Sequence, residues 1–241
     1  MKRFLALLLI FTLPAAAQDY EREKRWAAEV VPNLVVGDAV RISAAGRTFL
    51  GIYTEVKNAK SAILLVHGAG VHPDHSVIGV LRVSLSDMGY STLSIQMPVL
   101  RSDAANDEYA PLFAEAAARI QAGADWLARK GYARPVLLSH SMGSRMSNAY
   151  FERMHDAPFA AWVCMGLSGS YGRMVNVEVP VLDLYGENDL PGVRAAAWRR
   201  GVTVDGIPGS AQQMIPGADH FYTGREKALA AEILRFLSKL E

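Results

Sequence analysis

VLLSHSMGSRMSNAYF (136–151) joins two kinds of pattern with almost no loop between them. Val136-Leu137-Leu138 is a short apolar run that reads as a buried strand, and Arg145–Phe151 reads as a helix. Between them lies Ser139-His140-Ser141-Met142-Gly143, small-x-Ser-x-Gly. A strand that turns sharply into a helix strains its central residue and pushes that side chain outward. Small residues are needed two before and two after it, because strand and helix come close. Gly143 meets the second need, and Ser139 stands where glycine is usual. The start of the helix also aims free backbone N–H groups at the joint. Serine is equally a common helix N-cap, so the pentapeptide alone leaves two readings of Ser141 open.

Outward from the joint, apolar runs alternate with helical stretches. Strands are expected at Ala62–Val66, Thr92–Gln96, Pro135–Leu138, Ala160–Met165, Val181–Tyr185 and Gln212–Ile215. Helices are expected at Val77–Met88, Asp107–Lys130, Ser141–His155, Val193–Arg200 and Gly224–Leu240, the last with Leu229, Ile233, Leu234, Leu237 and Leu240 toward the core. Before them, Ala39–Glu55 reads as an antiparallel hairpin broken at Ala44-Ala45-Gly46. This is an α/β pattern: a mostly parallel sheet of about eight strands with helices on both faces. Ligands of such sheets bind at the carboxyl ends of the strands, so functional residues should come directly after strands.

Bulk properties fit one globular domain. The chain has 241 residues, 51% apolar and 20% charged, with a formal net charge of +1, which implies no broad basic surface for nucleic acid. Met1-Lys2-Arg3, the apolar run Phe4–Leu13 and Pro14-Ala15-Ala16-Ala17 have the order of a secretory signal. Cleavage is expected after Ala17, giving 1–17 as signal peptide, 18–35 as an N-terminal arm with some helix and 36–241 as the main domain. The apolar run is shorter than the roughly 20 residues that span a bilayer, so the mature chain is expected to have no transmembrane segment and to lie in the periplasm or outside the cell. The single cysteine, Cys164, sits in an apolar run and reads as a buried, inert thiol.

A serine nucleophile needs a base, and the base an acid. Of the six histidines only His220 lies between a late strand and the final helix. The strand Val181–Tyr185 runs into Gly186-Glu187-Asn188-Asp189, which makes Asp189 the first choice of acid and Glu187 the second; Asp183 lies inside the strand. Val66-His67-Gly68-Ala69-Gly70 closes the first strand of the alternating region, and its glycines let a backbone N–H approach a substrate carbonyl. Ala69 N–H and Met142 N–H are the expected oxyanion donors, with His67 holding the loop. The order along the chain is Ser141, Asp189, His220.

With VHGAG (66–70), SHSMG (139–143), LYGEND (184–189) and GADHF (217–221), the chain resembles an α/β-hydrolase over about residues 36–241. The resemblance implies Ser141 as nucleophile, His220 as base and Asp189 as its orienter. LRVSLSDMGYSTLSIQMP (81–98) also resembles a family of small exported bacterial hydrolase-like proteins of unassigned function. The short stretch Leu167–Glu178 leaves no room for a large lid, and Val71–Ser76 and Met97–Glu108 are expected as walls of the site. The implied activity is that of an exported serine hydrolase acting on carboxylic esters or thioesters, and an open site suits small esters or acyl groups on a larger molecule. A silent hydrolase fold acting in envelope binding or assembly is the other reading, motivated by Ser139 in place of glycine and by the absence of a recognised substrate. No cofactor and no metal is expected: His72-x-x-His75 lacks a third ligand, and Ser168-Gly169-Ser170-Tyr171-Gly172 lacks the Gly-Lys-Ser/Thr of a phosphate cradle. Arg199-Arg200 is read as a solvated helix end.

Overall fold

The computed structural model describes residues 18–172 and 178–240. The proposed signal peptide, 1–17, lies outside the described residues. Among the described residues no helix is long and apolar enough to cross a membrane.

In chain order the elements are α1 (Tyr20–Val30), β1 (Asp38–Ala44), β2 (Arg47–Thr54), β3 (Ala62–Val66), α2 (Ser76–Asp87), β4 (Ser91–Ile95), α3 (Phe113–Arg129), β5 (Val136–His140), α4 (Met142–Arg153), β6 (Ala161–Met165), β7 (Val181–Gly186), α5 (Pro191–Asp205), β8 (Ala211–Ile215) and α6 (Glu226–Leu237). They form one eight-stranded sheet in the order β1-β2-β4-β3-β5-β6-β7-β8. Only β2 runs against the rest, pairing antiparallel with both β1 and β4. The β1–β2 hairpin turns on Ala45 and Gly46, at φ 48° and 74°. Positive φ at both central residues is the geometry that matches the twist of the flanking strands.

Strand alternation sorts the core into two layers. Leu64, Leu137, Trp162 and Cys164 face the α3 and α4 side, packing with Ile120 and Met146. Ile63, Leu65, Leu138 and Val163 face α2 and α6, packing with Leu81, Leu229 and Ile233. Both faces of β3, β5 and β6 are therefore buried, which is why these strands are nearly unbroken apolar runs. In α6, Leu229, Ile233 and Leu237 are buried and Leu234 packs at the margin, as does Leu240 in the turn after the helix. Cys164 is fully buried, and burial pushes its thiol up to about 12.

Two expectations need correction. The helix expected over Asp107–Lys130 is divided: Asn106–Leu112 is a 3-10 turn holding Pro111, and α3 starts only at Phe113. Proline lacks the N–H that a continuous α-helix needs. Arg200 is not solvated but fully buried. Val193, Ala197, Arg200 and Val204 recur at helical spacing on the inner face of α5, so Arg200 falls inside. There its Nε donates to both carboxylate oxygens of the buried Asp183, at 3.0 and 3.1 Å, and its Nη1 donates to the carbonyl of Leu167 at 2.8 Å. Asp183 also accepts from Tyr171 and Gln212. A buried charge is tolerable only with such compensation.

Candidate active site

β5 ends at His140 and α4 begins at Met142, so Ser141 alone makes the turn. Its backbone sits at φ 57° and ψ −119°, and its side chain makes no capping bond to the helix. That conformation is costly for a residue with a Cβ and persists only where surrounding structure holds it. The holding contacts are the Ser141 N–H to the Met165 carbonyl, 2.9 Å, and the close approach of α4 to β3. A Cβ on Gly143 would lie 2.5 Å from the His67 carbonyl oxygen, so only glycine fits there.

Ser139 occupies the other crowded position without displacing anything. It is fully buried, and its Oγ accepts from Trp162 Nε1 at 2.8 Å and lies 3.1 Å from Ser144 Oγ. Ser144 Oγ in turn donates to the Met165 carbonyl at 2.9 Å, the same oxygen that holds the Ser141 N–H. Where glycine would leave only a hydrogen, the serine hydroxyl thus completes a satisfied polar chain.

The residues singled out from sequence meet at the carboxyl edge of the sheet. Ser141 Oγ is 2.9 Å from His220 Nε2, and His220 Nδ1 is 2.6 Å from Asp189 Oδ1. Nδ1 therefore carries the proton given to the carboxylate, and Nε2 is left to accept from the serine. Asp189 also accepts from the Gly186 N–H at 3.1 Å and the Leu190 N–H at 2.7 Å. Burial raises its pKa, but the His220 bond and these two backbone donors outweigh burial and hold the carboxyl below its ordinary value. Glu187 does something else. Its Oε2 accepts from the Gly217 N–H at 2.7 Å, clasping the loop that carries His220.

The β3 loop reaches the serine from the other side. A Cβ on Gly68 would be 3.3 Å from Ser141 Cβ. His67, fully buried, has its Nε2 2.9 Å from the Met97 N–H and its Nδ1 2.9 Å from the Gly68 carbonyl. Nε2 must accept, so Nδ1–H donates and pins that carbonyl. Burial drives the His67 pKa down to about 3, keeping it neutral. Neither the Ala69 N–H nor the Met142 N–H has an acceptor among the described residues.

His140 carries a role that the sequence reading left unassigned. It is buried, its ring lies 4.9 Å from the His220 ring, and its Nε2–H donates to the His220 carbonyl at 2.8 Å. Burial first, and the neighbouring imidazole second, push its pKa down to about 4. The available signal was strand alternation: His140 points to the opposite face from Ser139, toward the loop before α6.

A cleft of about 240 Å³ opens over Ser141. Apolar walls come from Val71, Val77, Ile78, Leu190 and Phe221, with His75, Ser76 and Asn106 as polar members. Val71–Ser76 is a wall as expected, but of Met97–Glu108 only Asn106 takes part. His72 and His75 stack edge to face at 5.4 Å, and among the described residues no third His, Cys, Asp or Glu joins them.

Residues 12–118 match a family described as a protein of unknown function (DUF3530). No curated protein matches the chain. Solved structures do. Est1E from Butyrivibrio proteoclasticus is 15% identical with a TM-score of 0.67, over 85% of this chain and 98% of that one. A dienelactone hydrolase from Anabaena variabilis is 20% identical with a TM-score of 0.67, over 84% and 97%. An alpha-beta serine hydrolase homologue from Coxiella burnetii is 14% identical with a TM-score of 0.64, over 84% and 98%. At such identities the likeness is one of fold.

Proposed function

We propose, from the α/β-hydrolase fold that this chain has, that it is an exported serine hydrolase cleaving small carboxylic esters or thioesters through an acyl-enzyme. The observation that carries the reading is the unbroken contact line from Asp189 through His220 to Ser141. Along it, His220 Nε2 takes the Ser141 proton as Oγ bonds to the substrate carbonyl carbon. Asp189 keeps the imidazole in the needed tautomer and balances the charge it gains. The oxyanion rests on the Ala69 and Met142 N–H groups, the latter at the positive end of α4. The carbon–oxygen or carbon–sulfur bond then breaks, and His220 returns the proton to the departing alcohol or thiol. Water attacks the acyl group by the same route and frees Ser141.

The cleft supports a small substrate. At about 240 Å³ it lies at the small end of ligand clefts, which run from about 300 Å³ upward. Its apolar walls suit a neutral acyl or alcohol group. Solved neighbours of this fold include esterases from Pyrococcus furiosus and Thermogutta terrifontis, which fits the reading. Export rests on the sequence of residues 1–17, and a secreted or periplasmic product starting at Gln18 tests it. Against the silent-fold alternative, Ser139 is seated with its hydroxyl satisfied, which supports an intact turn at Ser141; the serine probe decides between the two.

The test is turnover of p-nitrophenyl esters of increasing chain length together with fluorophosphonate labelling. Ser141→Ala should lower turnover on the order of 10³-fold or more and abolish labelling. Unchanged turnover in that variant would reject the mechanism, and a folded wild type that neither labels nor turns over would favour the silent fold.

A further inference from the structure

The loop that bears Ala69 is held from outside the α/β core by the helix at the beginning of the described chain. Arg22, on the first turn of α1, donates from Nη2 to the Gly70 carbonyl at 2.9 Å and from Nη1 to the Leu100 carbonyl at 2.9 Å. One guanidinium therefore bridges the loops after β3 and β4, neighbouring strands in the sheet. Two further contacts hold the helix there, and a cap fixes its first turn. The Asp19 N–H donates to the Val99 carbonyl at 2.8 Å. Asp19 Oδ1 caps the helix by accepting the Arg22 N–H at 2.8 Å. Glu23 pairs with the buried Arg119 at 3.0 Å, whose Nη1 also donates to the Gln96 carbonyl at 2.9 Å. The Arg22 guanidinium lies 4.5 Å over the Trp26 ring, which limits its rotamers.

We infer that Arg22 is a positioning residue that fixes the oxyanion loop. In a trans peptide the C=O and the following N–H point opposite ways. His67 pins the Gly68 carbonyl, which turns the Ala69 N–H to the opposite side of that peptide, the side the proposed oxyanion role requires. The next hold along the loop is Gln96 Nε2 on the Val71 carbonyl, a long bond at 3.3 Å that leaves residues 69 and 70 room to pivot. Arg22 supplies a nearer and shorter pin, at Gly70, so that Ala69 lies directly between two fixed peptides. Oxyanion stabilisation depends on donors already in place before charge develops, and a displacement near 1 Å costs up to about 100-fold in rate. The inference rests on the proposed role of Ala69.

Arg22→Met keeps the apolar stem over Trp26 and removes both donors. Its kcat on p-nitrophenyl butyrate should fall about 10- to 100-fold, with KM changed less than about threefold. Hydrogen exchange at the amides of residues 69–71 should speed up. Arg22→Lys, which reaches one carbonyl at a time, should fall between. Ala230→Gly in α6, which does not line the cleft, serves as a control for lost stability. A kcat unchanged in Arg22→Met, a rise in KM alone, a loss that Ala230→Gly reproduces at the same melting temperature, or unchanged exchange would each overturn the inference. A wild type without activity would instead remove the proposed function, and exchange in Arg22→Met and Arg22→Lys would then decide alone whether Arg22 holds the loop.

Discussion

His140→Gln should make the protein less sensitive to acid. His140 is buried and neutral, with a folded-state pKa near 4, whereas an unfolded histidine titrates near 6.5. At pH 5 the unfolded chain holds this proton almost fully and the folded chain holds roughly a tenth of one. Stability must therefore fall as the pH drops below about 6.5, and the loss levels off only below about 4. Integrated from pH 7 to pH 5, this one residue accounts for about 2 kcal/mol. Glutamine places an Nε2 donor close to where the imidazole Nε2–H now meets the His220 carbonyl, and it does not titrate. The difference in unfolding free energy between pH 7 and pH 5, from urea titrations, should thus be about 2 kcal/mol smaller in the variant than in wild type. His67, with a pKa near 3, contributes the same sign in both proteins and cancels, as does Glu23, whose pKa burial raises. Equal acid sensitivity of His140→Gln and wild type would refute the assignment of a buried neutral imidazole.

Two other changes test the site more locally. Asp189→Asn should lower kcat on the order of 10³- to 10⁴-fold with the fold intact, because the amide no longer enforces the tautomer; Glu187→Gln, which only weakens a loop clasp, should stay within about tenfold, and a reversal of the two in steady-state kinetics would move the acid to Glu187. Ser139→Gly installs the residue usual at this joint, yet it should cost about 1–3 kcal/mol by orphaning the buried Trp162 Nε1–H; a melting temperature equal to or above wild type would contradict the hydroxyl chain through Ser139 and Ser144.

The outline of the fold was legible in the sequence because it depends on local periodicity. β3, β5 and β7 are short apolar runs each followed by a helix, and Ser141 was marked by the small residues its own turn requires. The residues just after each strand could be located for the same reason, since a parallel sheet collects its strand ends at one edge. Periodicity reaches its limit where a side chain's partner lies far along the chain. Asp189 and Glu187 are two residues apart on one loop, and only the loop's course sends the first to His220 and the second to the Gly217 N–H. The Arg199-Arg200 pair looks like a solvated helix end until the phase of α5 puts Arg200 against Asp183.

The sequence by itself determined the alternation of strands and helices, the strained serine at their joint and the order Ser141, Asp189, His220, all of which are written within a few residues or as a repeat. Only the tertiary structure decided which carboxylate meets the imidazole, that His140 holds the His220 carbonyl, and that Arg22 reaches the Gly70 carbonyl 48 residues away. Those contacts depend on where loops and helix phases place atoms in space, and no local spacing encodes a distance between segments that meet only when the chain is folded.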